Sequence, residues 1–147
     1  MQDIGIWVVF LTIPTDNNVG VGNTVTGSGL DGIQLSRFST TNTVSANTVA
    51  GNGFGQVRHG PRDGNGIVVH GNNRVVRLNT VGNSAANGIA SFGGSGNSSS
   101  GDTAVGSGTG INSSGTTFDL DDTTPGCGTD VWHSNVIVTS NQPCVTG

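Results

Sequence analysis

Apolar residues in this chain fall in strand-length triplets fenced by Gly, Asn and Ser, and amides recur among them in phase. Asn17-Asn18-Val19 is followed by Asn23-Thr24-Val25, Asn42-Thr43-Val44 by Asn47-Thr48-Val49, and Asn73-Arg74-Val75 by Asn79-Thr80-Val81. Two degenerate copies come later, Asn97-Ser98-Ser99 with Asp102-Thr103-Ala104 and Asp130-Val131-Trp132 with Asn135-Val136-Ile137. A second landmark closes three copies, at Gly32-Ile33-Gln34-Leu35, Gly66-Ile67-Val68-Val69 and Gly88-Ile89-Ala90-Ser91, and Gly5-Ile6-Trp7-Val8 opens the chain at the same phase. The period is about 22–24 residues, the hallmark of a repeat architecture. The copy at Asn42 is longer by roughly ten residues, which places an insertion at 54–65.

Side chains alternate across a strand, so the Asn and Val of each Asn-x-Val unit share one face and the middle Thr or Arg takes the other. By the same rule Ile33 and Leu35 point one way and Gln34 the other, as Ile67 and Val69 do against Val68. No single copy can bury its apolar row alone, whereas stacked copies bury a continuous column. Three short strands per copy without crossover helices predict an all-β parallel β-helix of about five to six coils. The inward amides then form ladders from coil to coil, because an unpaired buried amide costs about 1–3 kcal/mol. The chain reads as one domain, 1–147: a first partial coil over 1–16, repeat coils over 17–122 and a terminal coil over 123–147. The Ser- and Gly-rich tract 93–115 keeps the phase at Asn97 and Asp102, so it is expected to be a weak coil with long turns, the least stable part, because Ser99 and Ala104 stand where Val is expected.

Composition narrows the function classes. The net charge is −4, only 10% of residues are charged, and Lys, Glu and Tyr are absent. Arg37, Arg58, Arg62, Arg74 and Arg77 are scattered, which gives no cationic footprint or stacking platform for nucleic acid. No apolar run approaches the length of a transmembrane helix, and Ile6–Ile13 reads as buried strand rather than as a signal peptide. Cys127 and Cys144 both fall in the terminal coil, where a disulfide would stabilise by roughly 2–4 kcal/mol; that bond suits a secreted, periplasmic or cell-surface protein.

The motif Asn42–Gly53 together with Gly66–Val69 resembles right-handed, single-stranded parallel β-helix proteins of the pectin-lyase-like superfamily, in particular those built of PbH1-type repeats and the NosD-like periplasmic β-helix region. The run 119–144 resembles the terminal coil of bacterial members. The resemblance implies right-handedness, but it leaves activity open, since the superfamily hosts lyases, hydrolases, epimerases and non-catalytic scaffolds. Complete members usually carry more coils and a helical N-terminal cap. The chain is therefore expected to be a C-terminal portion, with possible self-association through an uncapped first coil.

The insertion 54–65 concentrates Arg58, His59, Arg62 and Asp63 in a charge-poor chain. Arg clamps a carboxylate bidentately and a neutral His accepts a proton near pH 7, so these residues, with His70 beside them, are the candidate ligand-binding group for a polysaccharide. Lyase chemistry wants a tight Asp cluster and a base on a central coil, and hydrolysis wants two carboxylates across a groove; the sequence supplies neither pattern clearly. The Asp-Pro-His-Asp motif of β-helix alginate epimerases is also absent. Asp119, Asp121 and Asp122 have the oxygen density for Ca²⁺ but not an EF-hand spacing, and Asp121 and Asp122 are expected to cap turns toward Pro125-Gly126. No catalytic residue and no cofactor is assigned. Thr24, Thr48 and Thr80 are expected to form an outward column like that of an ice-binding face, broken on the adjacent strand by Asn18 and Arg74. His133 reads as structural. The expected function is a non-catalytic secreted or envelope scaffold that binds polysaccharide or a partner along one face and the 54–65 loop. The alternative is the remnant of a carbohydrate-active enzyme whose catalytic coils are missing.

Overall fold

The computed structural model describes residues 5–8, 16–55, 63–108 and 116–145, with the side chains of Trp7 and Val8 excepted. The strands fall in groups of three. The first coil holds β1 (Ile6–Val8), β2 (Val19–Val21) and β3 (Thr24–Thr26); the second holds β4 (Ile33–Leu35), β5 (Thr43–Ser45) and β6 (Thr48–Ala50). The third coil holds β7 (Ile67–Val69), β8 (Val75–Arg77) and β9 (Thr80–Gly82), and the fourth β10 (Ile89–Ser91), β11 (Ser98–Ser100) and β12 (Thr103–Val105). A fifth holds β13 (Leu120–Asp122), β14 (Val131–His133) and β15 (Val136–Ile137). Each strand pairs in parallel with its equivalent in the next coil, giving three five-stranded sheets, which we number 1 to 3 in the order of β1, β2 and β3. The fold is a right-handed parallel β-helix of five coils.

Period-two alternation builds the core. Ile33, Ile67, Ile89 and Leu120 stack inward from sheet 1, Val44 and Val76 from sheet 2, and Val25, Val49, Val81 and Ala104 from sheet 3. The landmark glycine has a packing cause. A Cβ on Gly32 would lie 2.5 Å from Val49 Cγ1 and 2.6 Å from the Gly66 carbonyl, and one on Gly66 would lie 2.3 Å from Val81 Cγ1. The backbones of successive coils approach too closely there for any side chain.

Between sheets 2 and 3 the chain turns through one residue in the left-handed region, at Gly22, Ala46, Leu78, Gly101 and Ser134. A second left-handed column, Asn17, Thr41, Asn73 and Gly96, precedes sheet 2. That column corrects the expected phase of two copies. The unit in coil 3 is Arg74-Val75-Val76, since Val75 pairs with Thr43, and in coil 1 it is Asn18-Val19-Gly20, since Val19 pairs with Thr43 from the other side. Asn is among the few residues favoured in the left-handed region, so Asn17 and Asn73 mimic ladder amides while serving as corner residues. Arg74, expected to point outward, is fully buried.

In two of the ladders each rung donates toward the next coil. Asn23 N–H and Nδ2 donate to Asn47 Oδ1 at 2.8 and 3.0 Å, and Asn47 does the same to Asn79 Oδ1, and Asn79 to Asp102 Oδ1. Asp102 N–H then donates to Asn135 Oδ1 at 2.9 Å. A second ladder runs through Asn18 and Asn42, and through Arg74, Asn97 and Asp130. A third, in front of sheet 1, runs the other way: Asn65 N–H donates back to Asp31 Oδ1 and Asn87 N–H back to Asn65 Oδ1. Coil 4 is less hollow than its Ser99 and Ala104 suggest, because Trp132 of coil 5 turns inward beneath Ser99 and donates Nε1–H to Asp122 at 2.9 Å.

The far end of the stack is closed. Cys127 and Cys144 form a disulfide, Ser140 makes a parallel bridge to Leu120, and Val145 is buried against the core.

Candidate functional site

Of the residues expected to bind ligand, Arg58, His59 and Arg62 lie outside the described residues. The described ends of the insertion are pinched together: a Cβ on Gly53 would fall 2.2 Å from Gly64 Cα. Gly53 N–H donates to the Ser28 carbonyl and Gly55 N–H to that of Gly29, so the outgoing end runs along the coil before it. The returning end is fixed by Asp31, whose Oδ1 accepts from Gly64 N–H, Asn65 N–H and Asn65 Nδ2 at 2.8–3.0 Å. Burial pushes the Asp31 carboxyl up to about 6, against the lowering effect of those donors, and the neighbouring Asp63 charge adds to the rise.

Asp63 is half-buried at this foot. His70 is half-buried and follows β7, whereas Asp63 precedes it, so the whole strand lies between them. The His70 ring meets Phe92 of the next coil at 5.5 Å. Val68 and Ala90, at the outward positions of sheet 1, are buried.

The carboxylates serve the scaffold. Asp119 accepts from the Ser107, Val138 and Thr139 backbone N–H groups, which docks the closing segment onto coil 5. Asp122 accepts from Thr124 N–H at 2.8 Å, the expected turn cap, and from Trp132. Asp121 is instead a strand residue, and its Oδ2 accepts from Asn87 Nδ2. The expectation that Asp121 caps a turn is thereby corrected: Asp119 takes the landmark glycine's place and Leu120 the isoleucine's, which hid the landmark of the last coil from the repeat search. Among the described residues no group of three His, Cys, Asp or Glu side chains is disposed to hold a metal ion. Asp102, buried between Asn79 and Asn135, has its carboxyl pushed up by desolvation while four hydrogen bonds pull the other way.

The outward face of sheet 3 is more regular than the sequence suggested. Thr24 pairs with Thr48, Thr48 with Thr80 and Thr80 with Thr103, so four threonines stack over successive coils before Val136 ends the column. Beside them runs a column of small residues, Thr26, Ala50, Gly82 and Val105. Asn18 and Arg74, expected to interrupt the adjoining strand, both belong to the ladder position instead. The outer row of sheet 2 is Val19, Thr43, Val75, Ser98 and Val131. Thr103 was the member missed; its degenerate Asp-Thr-Ala setting carried the phase in Asp102.

No helix among the described residues is long and apolar enough to cross a membrane. No protein-family model matches the chain, and no curated protein matches it in sequence.

Proposed function

We propose that the chain is a non-catalytic β-helix scaffold that holds an extended polysaccharide against the outer face of sheet 3 and the 54–65 loop. The observation that carries this is the registered column Thr24, Thr48, Thr80 and Thr103 lying beside Thr26, Ala50, Gly82 and Val105. Strands about 4.8 Å apart repeat one hydroxyl and one small apolar patch per coil. A sugar polymer offers the same alternation of hydroxyls and C–H faces along its length. The insertion starts from the edge of this face, since β6 runs through Gly51 and Asn52 to the pinched pair Gly53 and Gly64. Arg58 and Arg62 add charge for a uronate carboxylate. Asp31, Asp102, Asp119 and Asp130 are buried in hydrogen bonds between coils, and Asp122 is buried in bonds within coil 5, which favours a scaffold over a pair of working carboxylates. The disulfide is compatible with an extracellular setting.

Retention of the protein on a panel of neutral and uronate-containing polysaccharides tests the reading. Wild type is expected to bind at least one of them. Thr48→Arg/Thr80→Arg, on exposed positions, is expected to lose binding tenfold or more with an unchanged circular-dichroism spectrum. Arg58→Ala/Arg62→Ala is expected to weaken binding to the uronates alone. Full binding by the threonine variant, or no retention of wild type on any member, sinks the proposal.

A further inference from the structure

The outer face of sheet 2 carries charge where that of sheet 3 carries none. Its second outward column runs Val21, Ser45, Arg77, Ser100 and His133, one residue per coil. Arg77 and His133 are exposed, and Ser100 between them is half-buried. Neighbouring strands lie about 4.8 Å apart, so the arginine and the histidine stand roughly 10 Å from each other with the serine midway. Neither the Arg77 nor the Ser100 side chain has a hydrogen-bond or ion-pair partner among the described residues. His133 Nδ1 lies 3.2 Å from the hydroxyl of Ser134, the corner residue that follows. With Nδ1 accepting that hydroxyl, Nε2 carries the ring hydrogen and donates even from neutral imidazole.

No outward position of sheet 2 or sheet 3 holds a carboxylate. Asp102, inside the corner, turns its oxygens to Asn79 and Ser99, and Asp130 turns its own to Asn97 and Ser91. The acidic net charge of −4 therefore leaves this side open to an anion. The column also adjoins the threonines. Only the corner residue and the inward ladder residue separate Arg77 from Thr80 and Ser100 from Thr103. At that corner the exposed Leu78 reaches over Gly101, its Cδ2 being 3.0 Å from where a Cβ would stand. A chain of sugars crossing from sheet 3 meets an apolar ridge and then three donors in a row.

We propose that Arg77, Ser100 and His133 form a subsite for a sulfate or phosphate ester on a polysaccharide. This rests on the scaffold reading above for the polymer and on the column alone for the anion. The Arg77 fork takes two oxygens of the ester, and the Ser100 hydroxyl and His133 Nε2–H take the third. A planar carboxylate is already matched in full by one arginine fork, whereas three donor groups around one point suit the three free oxygens of a tetrahedral ester.

Two experiments on the full chain test the subsite. In the first, galactose 6-sulfate, galactose 6-phosphate and galactose are titrated in turn while the His133 imidazole resonances are followed, assigned with His133→Gln. At least one ester is expected to shift them saturably, galactose to leave them in place, and Arg77→Gln to weaken the binding about tenfold, the loss of one charge-assisted pair. The better ester names the polymer's substituent. No saturable shift with either ester, or equal binding by Arg77→Gln, overturns the proposal and leaves the threonine face of sheet 3 untouched; conversely, failure of neutral glycans on sheet 3 leaves this titration as it is. In the second, retention on dextran sulfate is expected to exceed that on dextran and on polygalacturonate. Arg77→Gln and His133→Gln should lose that margin, and Arg37→Gln, which removes the same charge from the corner after β4, should keep it. Polygalacturonate held as tightly as dextran sulfate, or an equal loss in Arg37→Gln, overturns the proposal, because the face then reads charge alone. Displacement of dextran sulfate by an equal weight of polyglutamate does the same and gives the face to an acidic polypeptide.

Discussion

Arg74 occupies the ladder position that Asn42 holds one coil earlier, and it meets Asn42 with donors where the matching rungs Asn47, Asn79 and Asp102 offer an acceptor. Asn42 Nδ2 is left without a partner. The guanidinium turns aside into the corner after β4, where Nη2 donates to the Ser36 and Ser39 carbonyls and Nε to that of Asn72. Burial lowers its pKa to about 10, with the Asp16 charge acting in the opposite sense, so it remains cationic at neutral pH. Arg74→Ala strands these carbonyls and is expected to cost about 3 kcal/mol or more. Arg74→Asn restores an acceptor for Asn42 and should cost about 1–2 kcal/mol less than the alanine variant. Urea denaturation of the three proteins decides it; equal losses for Ala and Asn would mean that the ladder gap at Asn42 has no energetic consequence.

The corner between sheets 2 and 3 holds Leu78 at φ 56° with 64% of its surface exposed. Gly22 and Gly101 occupy the same corner in other coils. The left-handed conformation costs an L-residue about 1–2 kcal/mol, and glycine gives back part of that gain through its freer unfolded chain. Leu78→Gly is therefore expected to stabilise by about 0.5–1 kcal/mol, and Gly101→Ala to destabilise by a similar amount. A lower melting temperature for Leu78→Gly would show that the Leu78 side chain does more than its exposure implies.

Architecture was legible in the sequence because the coil repeats one demand: an inward Val, an inward amide and a glycine where backbones meet. The three landmarks at Gly32, Gly66 and Gly88 carried all of it. What stayed hidden lay where one residue type satisfies two demands. Asn73 suits a left-handed corner as well as a ladder, so Arg74 was placed outside the barrel. Asp119 replaces a glycine because its neighbour is the lid rather than a sixth coil, so the landmark of the last coil went unrecognised and Asp121 was taken for a turn cap. The third ladder, Asp31 with Asn65 and Asn87, went unseen because Asn65 sat inside the insertion and its partners belong to no Asn-x-Val unit. Candidate ligand residues were chosen for charge density alone, and only Asp63 and His70 fall among the described residues, at opposite ends of β7.

Cys127 and Cys144 are 17 residues apart, which in the chain-entropy view corresponds to about 3 kcal/mol. Reduction, or Cys144→Ser, is expected to lower the melting temperature by roughly 6–12 °C for a chain of this length. The loss should begin at the lid, so amide exchange should quicken first at Thr139 and Val145, whose N–H groups bond Asp119 and the Gln142 carbonyl. Uniform acceleration across all five coils would instead make the disulfide a global tether.

Asp31 puts a carboxylate where the next two coils use amides, Asn65 and Asn87. Its pKa rises from 3.8 to about 6 on folding, because desolvation outweighs the N–H groups that favour the charged form. Between those two values the folded chain binds more protons than the unfolded one, so stability is greatest at and below about pH 4 and is lost as pH rises through 6. At pH 7 the shift corresponds to about 3 kcal/mol withheld from the fold as an upper bound. Asp31→Asn keeps an Oδ1 acceptor for Gly64 and Asn65 and removes the buried charge. It is expected to be more stable than wild type at pH 7 by about 1–2 kcal/mol, with the difference vanishing by pH 4. Urea titrations at pH 4, 5, 6 and 7 read the trend directly. A variant that is less stable at pH 7 and equal at pH 4 would reverse the sign, and would mean that the three N–H groups converging on Asp31 need its full negative charge.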